Sequence, residues 1–266
     1  MSEWRDIWKK TIIACQRTVI DKDYDGQNYF QPLLKEFPND KMINFEYGIA
    51  LETLKSFDKA HNAYKKASEE LPVEHWRNVA KIFDKRLTIK KQQNGQYFIN
   101  PTQTREEIQW DVFYNLHSYV YLDSHIQYLA ISSISRIDSE PEIAITIFRT
   151  CIEMALHFLF EKKLDSTYKL EELLFYLKEN RIISKEEFSH YKFIKNEGNI
   201  AVHPYKKRRI DPKHYSRLTQ DKKDKLNDIR NNKPFKYTES QLIEIIIEFN
   251  ESMNFINEHF KQQVKF

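Results

Sequence analysis

The sequence predicts an all-α chain, with helical hairpins at the N-terminus and an antiparallel helical bundle after them. Three observations predict it. Strand-like alternation bounded by turn residues is scarce. Apolar residues recur at helical spacing in segment after segment. Ser or Thr followed three residues later by Glu or Gln, the reciprocal capping pattern of a helix start, occurs at Ser139, Ser184 and Thr238.

The first quarter carries an internal repeat. Ala14 and Gly48, Gly26 and Ala60, Phe30 and Tyr64, Leu33 and Ala67, Pro38 and Pro72 are each 34 residues apart. Small, small, aromatic, small and Pro at this period resembles the tetratricopeptide repeat. The small residues let the two helices of a hairpin touch, the aromatic fills the gap, and Pro ends the second helix. Residues 41–74 are the better copy. Residues 7–40 depart at Leu33 and in the polar run Asp21 to Asp25. A third helix, His75 to Lys91, has Ile82 where a small residue belongs and reads as a cap. The resemblance implies a groove for a peptide or partner protein; a scaffold that only packs on its neighbour explains the pattern equally well.

Asn94-Gly95 is the strongest turn signal, and Gln96 to Thr104, with Pro101, reads as a linker. The domains are therefore expected to be 1–95 and 96–266. Helical periodicity resumes at Glu106 and runs, with room for a break, to about Ile137. His117 and His125 in this stretch lack acidic or Cys partners at ligand spacing, so packing or exposure is expected of them. Ser139, Pro141 and Glu142 then open a helix to about Lys163 that is apolar almost all round and should be central. Its one polar seam is Glu142, Thr146, Arg149, Thr150, Glu153 and His157, with Arg149 and Glu153 at the spacing of an ordinary ion pair. Leu170, Leu173, Leu174 and Leu177 line one face of a further helix. Leu242, Ile246, Phe249, Met253, Ile256 and Phe260 do so in the last one, which starts at Thr238.

Between them, a helix from about Lys185 ends before Pro204, since the residue preceding a proline disfavours helical geometry. At 100° per residue Phe188, Tyr191, Lys195, Asn199 and Val202 share one face, which is expected to look inward. Gly198 beside it would let another backbone approach. His203 falls in the last turn, where the helix dipole favours imidazolium.

Gly198-Asn199-x-x-x-His203 before Pro204, with Arg149-x-x-x-Glu153 upstream, resembles domains of the HEPN superfamily found beside bacterial restriction and phage-defence genes. The resemblance covers about Tyr121 to Phe260. It implies an RNA-acting effector of a prokaryotic defence or toxin system, and a homodimer that brings two motifs together. Many members are metal-independent ribonucleases, in which a histidine moves protons, an arginine stabilises phosphorane charge and the ribose 2′-hydroxyl attacks. The candidate catalytic residues are His203, Asn199, Arg149, Glu153 and Lys195. Gly198 stands where the family's motif has Arg, so the cation would have to come from Lys195 or Arg149. The other reading is a non-catalytic adaptor inside a defence complex, its polar residues a buried network.

Between Pro204 and Tyr237, twelve Lys or Arg face four Asp, a surplus of +8 in a chain whose net charge is +3. Lys206, Lys207, Arg208, Arg209, Lys213 and Arg217, interleaved with Tyr205 and Tyr215, are the candidate nucleic-acid contacts. A solvated insertion over 204–237 accounts for the same charge. No metal and no cofactor is expected: glycine-rich phosphate loops are missing, and the two cysteines, Cys15 and Cys151, sit in apolar periodic segments. Neither a secretion signal nor an apolar run near the ~18 residues of a membrane span is apparent. The cytoplasm is the expected location, without membrane association.

Overall fold

The computed structural model describes residues 2–38, 40–69, 104–160, 168–202, 220 and 237–264. Among the described residues the chain is helical and holds no strand. The helices are α1 (Ser2–Ile20), α2 (Phe30–Glu36), α3 (Lys41–Thr53), α4 (Phe57–Glu69), α5 (Arg105–Ser118), α6 (Ser124–Ile134), α7 (Pro141–Phe160), α8 (Leu170–Glu179), α9 (Lys185–Val202) and α10 (Glu239–Val264). They pack as two units, Met1–Ile131 with Met253–Phe266, and Ser132–Ser252. Pro72, the helix His75 to Lys91 and the linker near residue 96 lie outside the described residues.

In the first unit α3 and α4 pack against each other. Asp40 caps α3, accepting from the Met42 and Ile43 amides at 2.9 and 3.2 Å. Gly48 lies against the Tyr64 ring so closely that a Cβ there would be 2.4 Å from a ring carbon. Ala60 and Ala67 are fully buried, and the Tyr64 hydroxyl donates to Glu52 at 2.8 Å. The earlier copy is distorted. The Asp23 carboxylate accepts from the Gln27 and Asn28 amides, which holds the polar run as a turn. Gly26 adopts φ +61° in this turn rather than a helical conformation, lies against the Tyr47 ring of α3 so that a Cβ there would be 2.7 Å from a ring carbon, and α2 is left with seven residues.

The periodic stretch after residue 104 breaks into α5 and α6. Thr104 and Glu107 form a reciprocal cap at the start of α5. At its other end Gln127 donates to the Leu116 and His117 carbonyls at 2.7 and 3.1 Å, satisfying groups that a helix C-terminus leaves open. Phe113 and His117 of α5 pack on Phe45 of α3.

The second unit is built around α7, whose Ile145, Phe148, Ile152, Ala155, Leu156 and Leu159 are buried as the periodicity requires. Phe148 stacks on Phe249 of α10, ring centroids 3.9 Å apart. The four leucines of α8 are buried, and α9 packs on both α7 and α8. Reciprocal caps start α9 at Ser184 with Glu187 and α10 at Thr238 with Gln241. The third expected cap is not formed. Ser139 donates to the Arg136 carbonyl in the preceding turn, and α7 begins directly at Pro141.

One expectation about α7 needs correcting. The helix is long and apolar enough, by length and composition, to cross a membrane, although half of its apolar window is buried in the protein. Arg149 and the glutamates interrupt the run in the sequence without offsetting its mean hydropathy.

Candidate functional site

Two of the three expected motif residues of α9 and both of those of α7 fall within the second unit, and the two helices meet at them. Gly198 is the contact point. A Cβ built there would lie 2.5 Å from Cβ of Arg149, 2.9 Å from its Cδ and 3.2 Å from its Cγ. What approaches the glycine is thus the aliphatic stem of Arg149, where the sequence suggested a backbone. Carbon atoms pack at about 3.5–4.0 Å, so no larger residue fits this position without moving a helix.

The inward face of α9 is correspondingly rotated from the expected one. Glu187, Phe188, Tyr191, Ile194, Lys195 and Gly198 are buried. Asn199 is half-buried, and Val202 is 40 % exposed. The buried arc centres on Tyr191 and Gly198. Asn199 sits at its edge, and Val202 lies on the last turn, past the contact with Arg149.

On α7 the polar seam holds together locally. Thr146 donates to the Glu142 carbonyl at 2.7 Å and Thr150 to that of Thr146 at 3.0 Å, so both hydroxyls turn back on their own helix. Arg149 Nη2 donates to Glu153 Oε2 at 3.3 Å, with the two side chains 27 % and 32 % exposed. The Arg149 Nε is buried with no hydrogen-bond partner. An i,i+4 pair this long and this exposed is worth a few tenths of a kcal/mol. It leaves the guanidinium with donors to offer an anion.

Lys195 is placed differently. Its ammonium, nearly buried, lies 3.0 Å from Glu171 of α8, a residue 24 positions earlier that no motif singled out. Lys195 is thereby drawn toward α8. Tyr191, at the middle of the buried face, carries a hydroxyl without a partner. Burial, and secondarily the charge of Glu187, pushes its phenol well above the ordinary range. Two turns before Gly198, His190 Nδ1 meets Glu248 of α10 at 2.6 Å, a pair 58 residues apart with no sequence signal.

His203, Tyr205, Lys206, Lys207, Arg208, Arg209, Lys213, Tyr215 and Arg217 lie outside the described residues. Among the described residues no group of three His, Cys, Asp or Glu side chains is placed to hold a metal ion. Cys15 and Cys151 are free and buried, and burial raises both thiols, which keeps them protonated and inert.

In the first unit sequence reading missed one buried polar cluster. His117 Nδ1 lies 2.8 Å from Glu46 Oε2, and Trp8 Nε1 donates to Glu46 Oε1 at 3.2 Å. The two ionisable side chains are 1 % and 0 % exposed. His117 looked partnerless because its carboxylate comes from another helix. His125, by contrast, is exposed.

No family model matches the chain, nor does any curated protein or solved structure.

Proposed function

We propose that the chain acts on RNA as a metal-independent endoribonuclease, with Arg149 as its phosphate-stabilising cation and His203 as its acid or base. The observation that supports this is the contact at Gly198. Where the HEPN pattern has an arginine before Asn199, this chain has a glycine, and the stem of Arg149 from α7 runs across that very position. The cation is thus supplied beside Asn199 from the neighbouring helix. Its pair with Glu153 is weak enough for a phosphate to displace. Lys195 is the poorer candidate, being nearly buried and engaged with Glu171.

In this reading the ribose 2′-hydroxyl attacks the adjacent phosphorus as a base takes its proton. The bond from phosphorus to the 5′-oxygen breaks, and an acid protonates the leaving oxygen. The products are a 2′,3′-cyclic phosphate and a 5′-hydroxyl. His203 moves one of these protons, and Arg149 opposes the charge that builds on the phosphorane. The basic stretch 204–237 holds the strand, the homodimer pairs two sites, and the repeats receive a protein partner.

A second reading is a non-catalytic adaptor of a defence complex. The pairing of both candidate cations with glutamates favours it.

The deciding experiment is cleavage of mixed single-stranded and structured RNA in EDTA. The wild type should cut. His203→Ala should abolish cleavage, Arg149→Ala should lower it by about two orders of magnitude or more, and Lys195→Met should leave it near wild type. No cleavage together with no salt-dependent RNA binding would refute the ribonuclease and leave the adaptor.

A further inference from the structure

One side of α3 is taken up by the chain itself. Helix α5 packs on α1 and α3, and its Phe113 and His117 meet Phe45 and Glu46. On another side α3 floors a cavity of about 600 Å³ that is walled by α2 and α4, all within the first unit. That volume is in the range of small-molecule pockets and far larger than a packing void.

The lining of the cavity has a chemistry that packing alone does not require. On α4, Lys59, Asn62, Ala63 and Lys66 recur at the spacing of one helix face. An apolar stripe normally takes this spacing, yet three of the four are polar. Helix α3 adds Lys41, Asn44 and Tyr47, and α2 adds Gln31 and Leu34. Three ammonium groups thus border one space, and no carboxylate is among the described lining residues. A cleft lined by one sign of charge concentrates ions of the other sign.

The polar groups are set but not spent. Lys66 is exposed and has no ion-pair partner among the described residues. Lys59 donates to the Tyr24 carbonyl and to the Asp25 carboxylate, a solvent-exposed pair that a competing anion can displace. Asn44, buried at the floor, donates its amide N–H to the Asp40 carbonyl at 3.2 Å, which fixes the side chain. Burial, and after it Asp25 and Asp23, raises the Tyr47 phenol, so its hydroxyl stays a donor.

Side-chain type selects among anions. None of the described lining residues is Arg, whose planar fork suits a carboxylate, whereas the Lys ammonium is a point charge that serves phosphate well. A lone phosphate would fill little of the space. The amides, Leu34 and the Tyr47 ring are left for an organic body bearing hydroxyls or a base.

We propose that this cavity binds a small organic phosphate, a mononucleotide or a sugar phosphate. Lys41, Lys59 and Lys66 surround its phosphate, and Gln31, Asn44 and Asn62 hold the organic part. The assignment does not depend on RNA cleavage.

Calorimetric titration of the full chain with ADP, ribose 5-phosphate and inorganic phosphate, at about 0.15 M salt, tests it. ADP or ribose 5-phosphate should bind more tightly than inorganic phosphate, and the tighter of the two tells a nucleotide site from a sugar phosphate site. Lys66→Glu, at an exposed position, should weaken that binding about tenfold or more with an unchanged melting curve. Lys10→Glu, the same charge change at an exposed position of α1 outside the cavity, should bind as the wild type does. A wild type that binds neither organic phosphate would overturn the proposal. So would binding that survives Lys66→Glu or falls equally in both variants, since the phosphate would then sit elsewhere, as on the basic stretch 204–237. Tighter capture of a hexaglutamate peptide, lost in Lys66→Glu, would also overturn it and give the cavity to a protein partner.

Discussion

Adding one methyl group at Gly198 tests whether α7 and α9 meet as described. On an isolated helix, Gly→Ala would stabilise by about 0.8–1.0 kcal/mol through helix propensity. Here the new Cβ would arrive 2.5 Å from Cβ of Arg149, about 1 Å inside normal carbon contact. Rotamer changes in Arg149 clear its Cγ and Cδ but cannot move its Cβ, which the backbone fixes. The helices must separate or shift, and overpacking of that kind costs roughly 1–3 kcal/mol. The sum runs from no net change to a destabilisation of about 2 kcal/mol, its size set by how far α9 can yield. Urea denaturation followed by circular dichroism measures it, since a change in midpoint at constant slope reports stability alone. A Gly198→Ala chain that is more stable by the full propensity gain would mean open space at this position and would refute the contact.

Two further variants probe the buried polar groups. His117→Ala should destabilise the first unit by about 3–5 kcal/mol, because it leaves the Glu46 carboxylate buried with only Trp8 as a donor; urea denaturation of the same kind reads it. Tyr191→Phe should stabilise by about 1 kcal/mol, since the hydroxyl it removes is buried without a partner. Because burial raises the Tyr191 phenol in the folded state, its contribution is fully present below the unfolded tyrosine value near ~10 and is lost as pH rises through the folded one. Alkaline unfolding should therefore begin at lower pH in the wild type than in Tyr191→Phe, as thermal melts between neutral and strongly alkaline pH would record.

What the sequence made legible was whatever repeats along one helix. The stripe from Leu242 to Phe260, the four leucines of α8 and the buried face of α7 follow from apolar spacing, and each is buried. The caps at Ser184 and Thr238 were legible because donor and acceptor lie three residues apart. Partners across helices were not. Lys195 could lean toward either neighbour, and only packing shows that it meets Glu171 on α8. The Glu46 and His117 side chains are 71 residues apart, and no local pattern joins them. Ser139 failed as a cap for a subtler reason: Pro141 already fixes the first turn, and the serine hydroxyl satisfies the carbonyl of Arg136 instead.

Gly198 and Arg149 are best understood as one feature. An arginine at 198, as the HEPN pattern would have it, would bring its own Cβ against Cβ of Arg149. The fold therefore has room for a side chain at one of these two positions and not at both. On this argument the glycine is the complement of Arg149, and exchanging the two residues should be tolerated where a single change is not. Gly198→Arg alone should be destabilised by at least the roughly 1–3 kcal/mol of an overpacked core. Combining it with Arg149→Gly removes the opposing Cβ and should recover most of that loss, less about 1 kcal/mol for a glycine inside α7. A denaturation series on the two single variants and the exchange measures the coupling directly. An exchange variant no more stable than Gly198→Arg would show that the two positions do not share space. If RNA cleavage is present in the wild type, lost in Arg149→Gly and regained in the exchange, then the guanidinium acts from the place it reaches, whichever helix supplies it.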